Sequence, residues 1–332
     1  MVAAVASLLL SILNFYLSRK QAENDARRDY QYEARKRLYH EYEPLRFQLL
    51  ESSENALRHI KDIAAKAHAG DLGPNGWPAS RRHYYLKESI YRLLLPCAVY
   101  KLMTKRITLV DLQLDPLIHA QYILAKAVCL SYTHDFALAD ISKLPYTPYV
   151  ADWREKREEN PKQYRRQGFP IGRLDNALDA LIESRGDDSY NIASFGRFEE
   201  KFDSVEDSDV RSGLGIVRDM FFEFHPDTRP ILWRILTVQS LLYDCVLEIS
   251  DEEHPSGEQV FRTLTALADG ERKRPDEKAY KEDIDPDSMR RGLPVAVHMY
   301  LDSHVRPLLR RLQPKGTERV YLRGVKHYDR HR

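Results

Sequence analysis

From Val2 to Ser18 the chain carries no charged side chain, which limits that stretch to a helix wherever water is excluded, because only a helix satisfies its own backbone there. Its polar residues, Ser7, Ser11, Asn14 and Ser18, recur at spacings of four, three and four. On a helix those spacings draw one narrow stripe. The other faces carry Val2, Val5, Leu8, Leu9, Leu10, Ile12, Leu13, Phe15, Tyr16 and Leu17, which suit lipid tails, while hydroxyl and carboxamide groups suit another helix or water. Ala3, Ser7 and Ser11 add a small-xxx-small ladder that lets helix backbones approach.

A helix from Met1 to Ser18 would measure roughly 27 Å against a hydrocarbon core of about 30 Å, just long enough to span. Clustering of helices relieves such a shortfall. Tyr16 stands one turn before Arg19 and Lys20, the usual place of an interfacial ring. Arg27, Arg28, Arg35, Lys36 and Arg37 follow, so basic residues gather on the C-terminal flank and the long remainder is expected in the cytoplasm of an inner-membrane protein. Two other readings compete. A cleaved leader would place its basic residues before the apolar run and end on a better site than Leu17-Ser18-Arg19. A buried globular helix fits poorly with the charged sequence directly behind it.

The rest is long enough for one large domain or two ordinary ones. With 51 Lys plus Arg against 50 Asp plus Glu, no global basic field points to nucleic acid. Charge is uneven locally: residues 305 to 332 hold nine basic side chains against Glu318 and Asp329, whereas 248 to 288 run acidic. Either stretch could hold a partner protein. Cys97, Cys129 and Cys245 are far apart and mostly flanked by apolar residues, which suits reduced, buried thiols.

Helical periodicity dominates. After the span (1–18), a connecting helix occupies 19–69, where Leu38, Leu45, Leu49, Leu57, Ile60 and Ile63 return at helical intervals and Pro44 is expected to kink it. The cytosolic domain is 70–332. Its first residues, Gly70 to Ser80, read as a loop, followed by a helix from Tyr85 to about Lys105 interrupted by Pro96. Asp115 followed by Pro116 has the form of an N-cap and first-turn proline, opening an apolar helix to about Ile141. A proline-rich connection follows from Ser142 to Pro170. Further helices are predicted near 172–185, 206–223, 228–250, 257–268 and 286–312. Period-two patterning is confined to Arg319 through Val325, and 186–194 is the most plausible internal boundary. The expected fold class is all-α.

Standard catalytic and cofactor signatures are absent, so no catalytic residue, metal ligand or cofactor is assigned. Arg35/His40, Arg218/His225 and Arg291/His298 match the Arg and His spacing of all-α HEPN ribonucleases, yet a chain so rich in Arg and His produces such spacings by chance. His134-Asp135, with His119 and Asp140, resembles the metal-gripping doublet of HD phosphohydrolases; on one helix, however, His119 and His134 would be ~22 Å apart and could not share an ion. Basic and aromatic residues interleave at Arg81, Arg82 and Tyr84, at Tyr164, Arg165 and Arg166, and in the tail at Arg319, Tyr321 and Arg323. That mixture suits a nucleotide or short oligonucleotide, and equally an amphipathic surface or anionic lipid headgroups.

An uncharged N-terminal helix running at once into a charged one (Glu33 to Leu45) and then a helical cytosolic domain resembles the membrane-anchored effectors of bacterial anti-phage defence, and is similar in layout to the channel-forming component of the Hailong system. The likeness is one of architecture. It implies a homo-oligomer, a tetramer, whose anchors form an ion pathway and whose soluble domain is held closed by bound oligodeoxyadenylate. One span per chain cannot enclose water, so a pore would need several chains with Ser7, Ser11, Asn14 and Ser18 turned inward. Two alternatives stay open: a membrane-tethered nuclease or phosphohydrolase, and a scaffold recruiting a cytosolic partner.

Overall fold

The computed structural model describes residues 2–69, 84–106, 111–134, 170–184, 186, 190–204, 213–221, 224, 230–252, 254–269 and 300–312. Within that set the side chains of residues 2–9 and 12, with a few others, are outside the description. Of the interpretable residues 89% are helical, so the chain is mostly helical as its periodicity predicts.

One helix, α1 (Val2–His68), runs unbroken through Pro44 and at 67 residues would be about 100 Å long. It is bipartite. From Leu38 onward it docks on the body through Leu38, Tyr42, Leu45, Leu49, Ala56, Ile60 and Ile63, a stripe at helical spacing that is almost wholly buried. The stripe packs on α2 (Tyr84–Arg106) and α7 (Pro230–Glu248), and α3 (Pro116–His134) closes the core against both. Trp233 of α7 is among the largest side chains wholly buried there.

Asp115 caps α3 as the Asp-Pro pair predicts. Its Oδ1 accepts from the Ile118 amide at 3.0 Å, and Pro116, lacking an N–H, occupies the first turn where none is needed. Tyr39 of α1 donates to the same carboxylate at 2.8 Å, and Tyr42 donates to Gln121 of α3 at 2.9 Å.

Two expectations need correction. The stretch predicted as helix to 185 ends in α4 (Ile171–Asp179), and β1 (Ile182–Ser184) pairs antiparallel with β2 (Tyr190–Ile192), Ile182 opposite Ile192. Strands of three residues are too short for alternation to show, so their sequence carries no period-two signal. The segment that expectation did favour, Arg319 to Val325, lies outside the described residues. Gly186 sits beside the hairpin with φ of 87°, a conformation that glycine adopts without a Cβ clash.

A helix that the periodicity did not mark, α5 (Phe195–Asp203), follows the hairpin. Ser194 opens it, accepting from the Arg197 amide at 3.4 Å, and Phe198 and Phe202 bury its inner face. Tyr91 of α2 anchors both pieces: its hydroxyl donates to the Ala193 carbonyl at 2.8 Å and its ring meets those of Phe195 and Phe198. Next are α6 (Gly213–Phe221), α7, α8 (Gly257–Asp269) and, at the C-terminal end of the described chain, a wide turn at Leu301–Val305 leading into α9 (Arg306–Leu309). Pro307 accounts for that turn, since it has no amide to bond back one α-turn; the Arg306 amide reaches Leu301 O instead.

Two lysines of α2 clamp neighbouring helices in the same manner. Lys87 reaches Glu199 at 3.0 Å and Asp203 at 2.7 Å on α5, and Lys101 reaches Asp175 at 2.8 Å and Asp179 at 2.7 Å on α4. In each case the acids are one helical turn apart, so a single amine bridges them.

Candidate functional site

The part of α1 before Leu38 is the most distinctive surface of the molecule. Among the described side chains of α1, Leu38 is the first that is buried, and those between Leu10 and Arg37 are exposed or half-exposed, a projection of roughly 42 Å. At its outer end Phe15 is 69% exposed and Leu10 is 59% exposed, with Leu13, Tyr16 and Leu17 comparably bare. Exposed rings and leucines on consecutive turns, with no charge among them, form the kind of apolar surface that marks an interaction with lipid or protein. From Arg19 the character changes: Arg19 pairs with Glu23 at 3.3 Å and Arg28 with Asp25, pairs one turn apart that support a solvated helix.

Of the polar stripe, Ser11, Asn14 and Ser18 are exposed on this projection, and the side chain of Ser7 lies outside the described set. Among the described residues no helix is long and apolar enough to cross a membrane. The residues that would complete the uncharged run, 2–9 and 12, are those whose side chains are not described.

Arg81, Arg82, Tyr164, Arg165, Arg166, Arg319 and Arg323 all lie outside the described residues, as do Asp135 and Asp140. His40 is 84% exposed on α1, touching Glu41 at 3.4 Å, and Arg35 is exposed on the same helix. Among the described residues no three His, Cys, Asp or Glu side chains could hold a metal ion.

A buried His and Ser pair at the α1–α2 seam has the residue types of a hydrolytic dyad. His59 Nε2 lies 2.7 Å from Ser89 Oγ. The hydroxyl proton of Ser89, however, goes to the Tyr85 carbonyl at 2.7 Å, so His59 donates to Ser89 and does not receive its proton. Burial also pulls the imidazole down to about 4, which makes it a poor base at neutral pH. Asp62, Lys66 and Tyr85 close the seam: Tyr85 donates to Asp62, Lys66 reaches the same carboxylate at 3.0 Å, and the ammonium lies 3.5 Å from the ring centre. The arrangement joins two helices rather than performing a reaction. The three cysteines are likewise buried, and burial raises the Cys129 and Cys245 thiols, leaving little thiolate for nucleophilic work.

Among the described residues a half-open concavity lies between α2, α3 and α4. It encloses about 190 Å³, with Tyr100, Cys129, Leu174 and Leu178 among its apolar lining and Lys101 and Lys126 among its polar lining. No local pattern could have marked these residues. They come from three separate helices, and only packing brings them together.

The chain matches no protein-family model, no curated protein and no solved structure.

Proposed function

We propose that this protein is a single-pass membrane effector that homo-oligomerises through its N-terminal helix into an ion-conducting assembly, controlled by a ligand on its helical cytosolic domain. The observation that carries the reading is the uncharged, exposed end of α1, held well clear of the body by a charged helical stalk. Bare rings and leucines at that density need lipid or sister helices to cover them. The stripe of Ser7, Ser11, Asn14 and Ser18 would then face sister copies, because polar groups are expensive against acyl chains. The basic flank from Arg19 onward favours a cytoplasmic body in an inner membrane, and the layout shared with anti-phage effectors favours a tetramer gated by an oligodeoxyadenylate.

A long continuous helix docked along its C-terminal half on α2 and α7 is also a mechanical link. Any shift of that docked half is carried to the outer end of α1, which is how a ligand on the body would open or close the assembly.

Planar-bilayer or liposome conductance of the purified full chain tests the proposal. The wild-type protein is expected to conduct and Asn14→Leu to conduct several-fold less, with the same particle size in detergent. Silent liposomes, or an unaltered conductance in an intact Asn14→Leu assembly, would sink the pore. Nuclease activity that persists without the N-terminal helix would select the tethered enzyme instead.

A further inference from the structure

We infer that Cys97 and Cys129 form a dithiol pair that a small peroxide converts into a disulfide stapling α2 to α3. The pair does not depend on the membrane reading. Helices α2 and α3 run antiparallel, because the Tyr132 hydroxyl donates to the Leu93 carbonyl at 3.4 Å at one end of their seam and the rings of Tyr100 and Tyr122 meet at 5.2 Å further along. Cys97 lies between Leu93 and Tyr100 on one helix, and Cys129 between Tyr122 and Tyr132 on the other. That register sets the two side chains face to face, and the thiols share a hydrogen bond. Sulfurs already in such contact are close to the geometry that a disulfide requires.

Access is one-sided. Cys97 is wholly buried, whereas Cys129 lines the half-open groove between α2, α3 and α4, whose volume of about 190 Å³ admits a molecule the size of hydrogen peroxide. Cys129 is therefore the sulfur that meets the oxidant. It gives its proton to solvent and attacks one peroxide oxygen; the O–O bond breaks, and the departing hydroxide takes up a proton as water, leaving a sulfenic acid. The Cys97 sulfur then attacks that of Cys129, the S–O bond breaks, and the hydroxide leaves with the Cys97 proton as a second water. Two thiols have lost two electrons and two protons, and one peroxide has become two waters. Burial raises the Cys129 thiol, so the first step is slow and needs oxidant in excess. Cys245 is the internal contrast: it is buried too, but its thiol is turned toward α8, 3.9 Å from the Val260 carbonyl.

Incubation of the native full chain with excess hydrogen peroxide, followed by intact-mass measurement and peptide mapping, tests this. The expected product is lighter by two hydrogens, carries a Cys97–Cys129 cross-link and reverts with dithiothreitol. Because the cross-link closes the long loop between α2 and α3, the oxidised chain should melt several degrees higher than the reduced one. Cys97→Ala should stop the cross-link and leave a Cys129 sulfenic acid that dimedone traps. Cys129→Ala should leave Cys97 unmodified, Cys245→Ala should keep the cross-link, and the thermal melt of each variant reports that the fold is intact. Over-oxidation of wild-type Cys129 without a cross-link overturns the inference, as does a cross-link that forms only in urea or one that involves Cys245. A chain left unmodified after prolonged exposure, or an oxidised chain that melts no higher than the reduced one, overturns it as well.

Discussion

His59 shows how a single buried side chain sets a pH dependence. Burial lowers it to about 4 from an ordinary value near 6.5, so the unfolded chain takes up a proton that the folded one resists. Stability is therefore complete above pH 6.5 and is lost progressively as pH falls toward 4, by about 3 kcal/mol in full. Urea unfolding at pH 7 and pH 4.5 should show that loss, and His59→Gln, which keeps a donor for Ser89, should flatten the difference between the two pH values. Asp115 is the residue whose role was plainest in the sequence, because capping needs only a carboxylate one position before a first-turn proline. Asp115→Ala should cost about 1 kcal/mol or somewhat more, since the Tyr39 hydroxyl loses its acceptor along with the helix end.

Helices announced themselves in proportion to their length and apolar content. The core helices α2, α3 and α7 were readable because each repeats leucines, isoleucines or valines over several turns, and propensity then agrees with burial. The nine-residue α5 has only three phenylalanines to mark its inner face, and the three-residue strands beside it have no room to alternate. Close approaches between elements are equally silent in one dimension. Gly257, at the start of α8, lies so near Leu309 of α9 that a Cβ there would overlap the Leu309 carbonyl oxygen. Gly257→Ala is expected to push the two helices apart and destabilise the protein by roughly 1–3 kcal/mol, measured by thermal or chemical denaturation. Gly172, with open space around it, is the control, and Ala there should be neutral or slightly stabilising.

At the scale of the molecule the two halves of α1 have separate duties. Among the described side chains of α1 burial begins at Leu38, so deleting residues 2–18 should leave unfolding free energy within about 0.5 kcal/mol of the full chain while abolishing sedimentation with membranes. A truncated chain that still sediments, or one that no longer folds, would show that the outer end of α1 belongs to the body. The docked half fastens to two partners at once, through Tyr39 and Tyr42 to α3 and through Arg46 to the Ser250 carbonyl after α7 at 3.0 Å. Those contacts join residues far apart in sequence, which is why the long helix could be foreseen and its seat could not.

Periodicity and charge are local properties, and they were enough for the helical class, the cap at Asp115 and the uncharged stretch at the start of α1. Which helix faces which is a contest among many apolar stripes of similar strength, settled by mutual packing volume and by pairings such as Lys87 with Glu199 and Asp203. That contest placed the hairpin, buried His59 against Ser89, and built a groove whose walls have no shared motif.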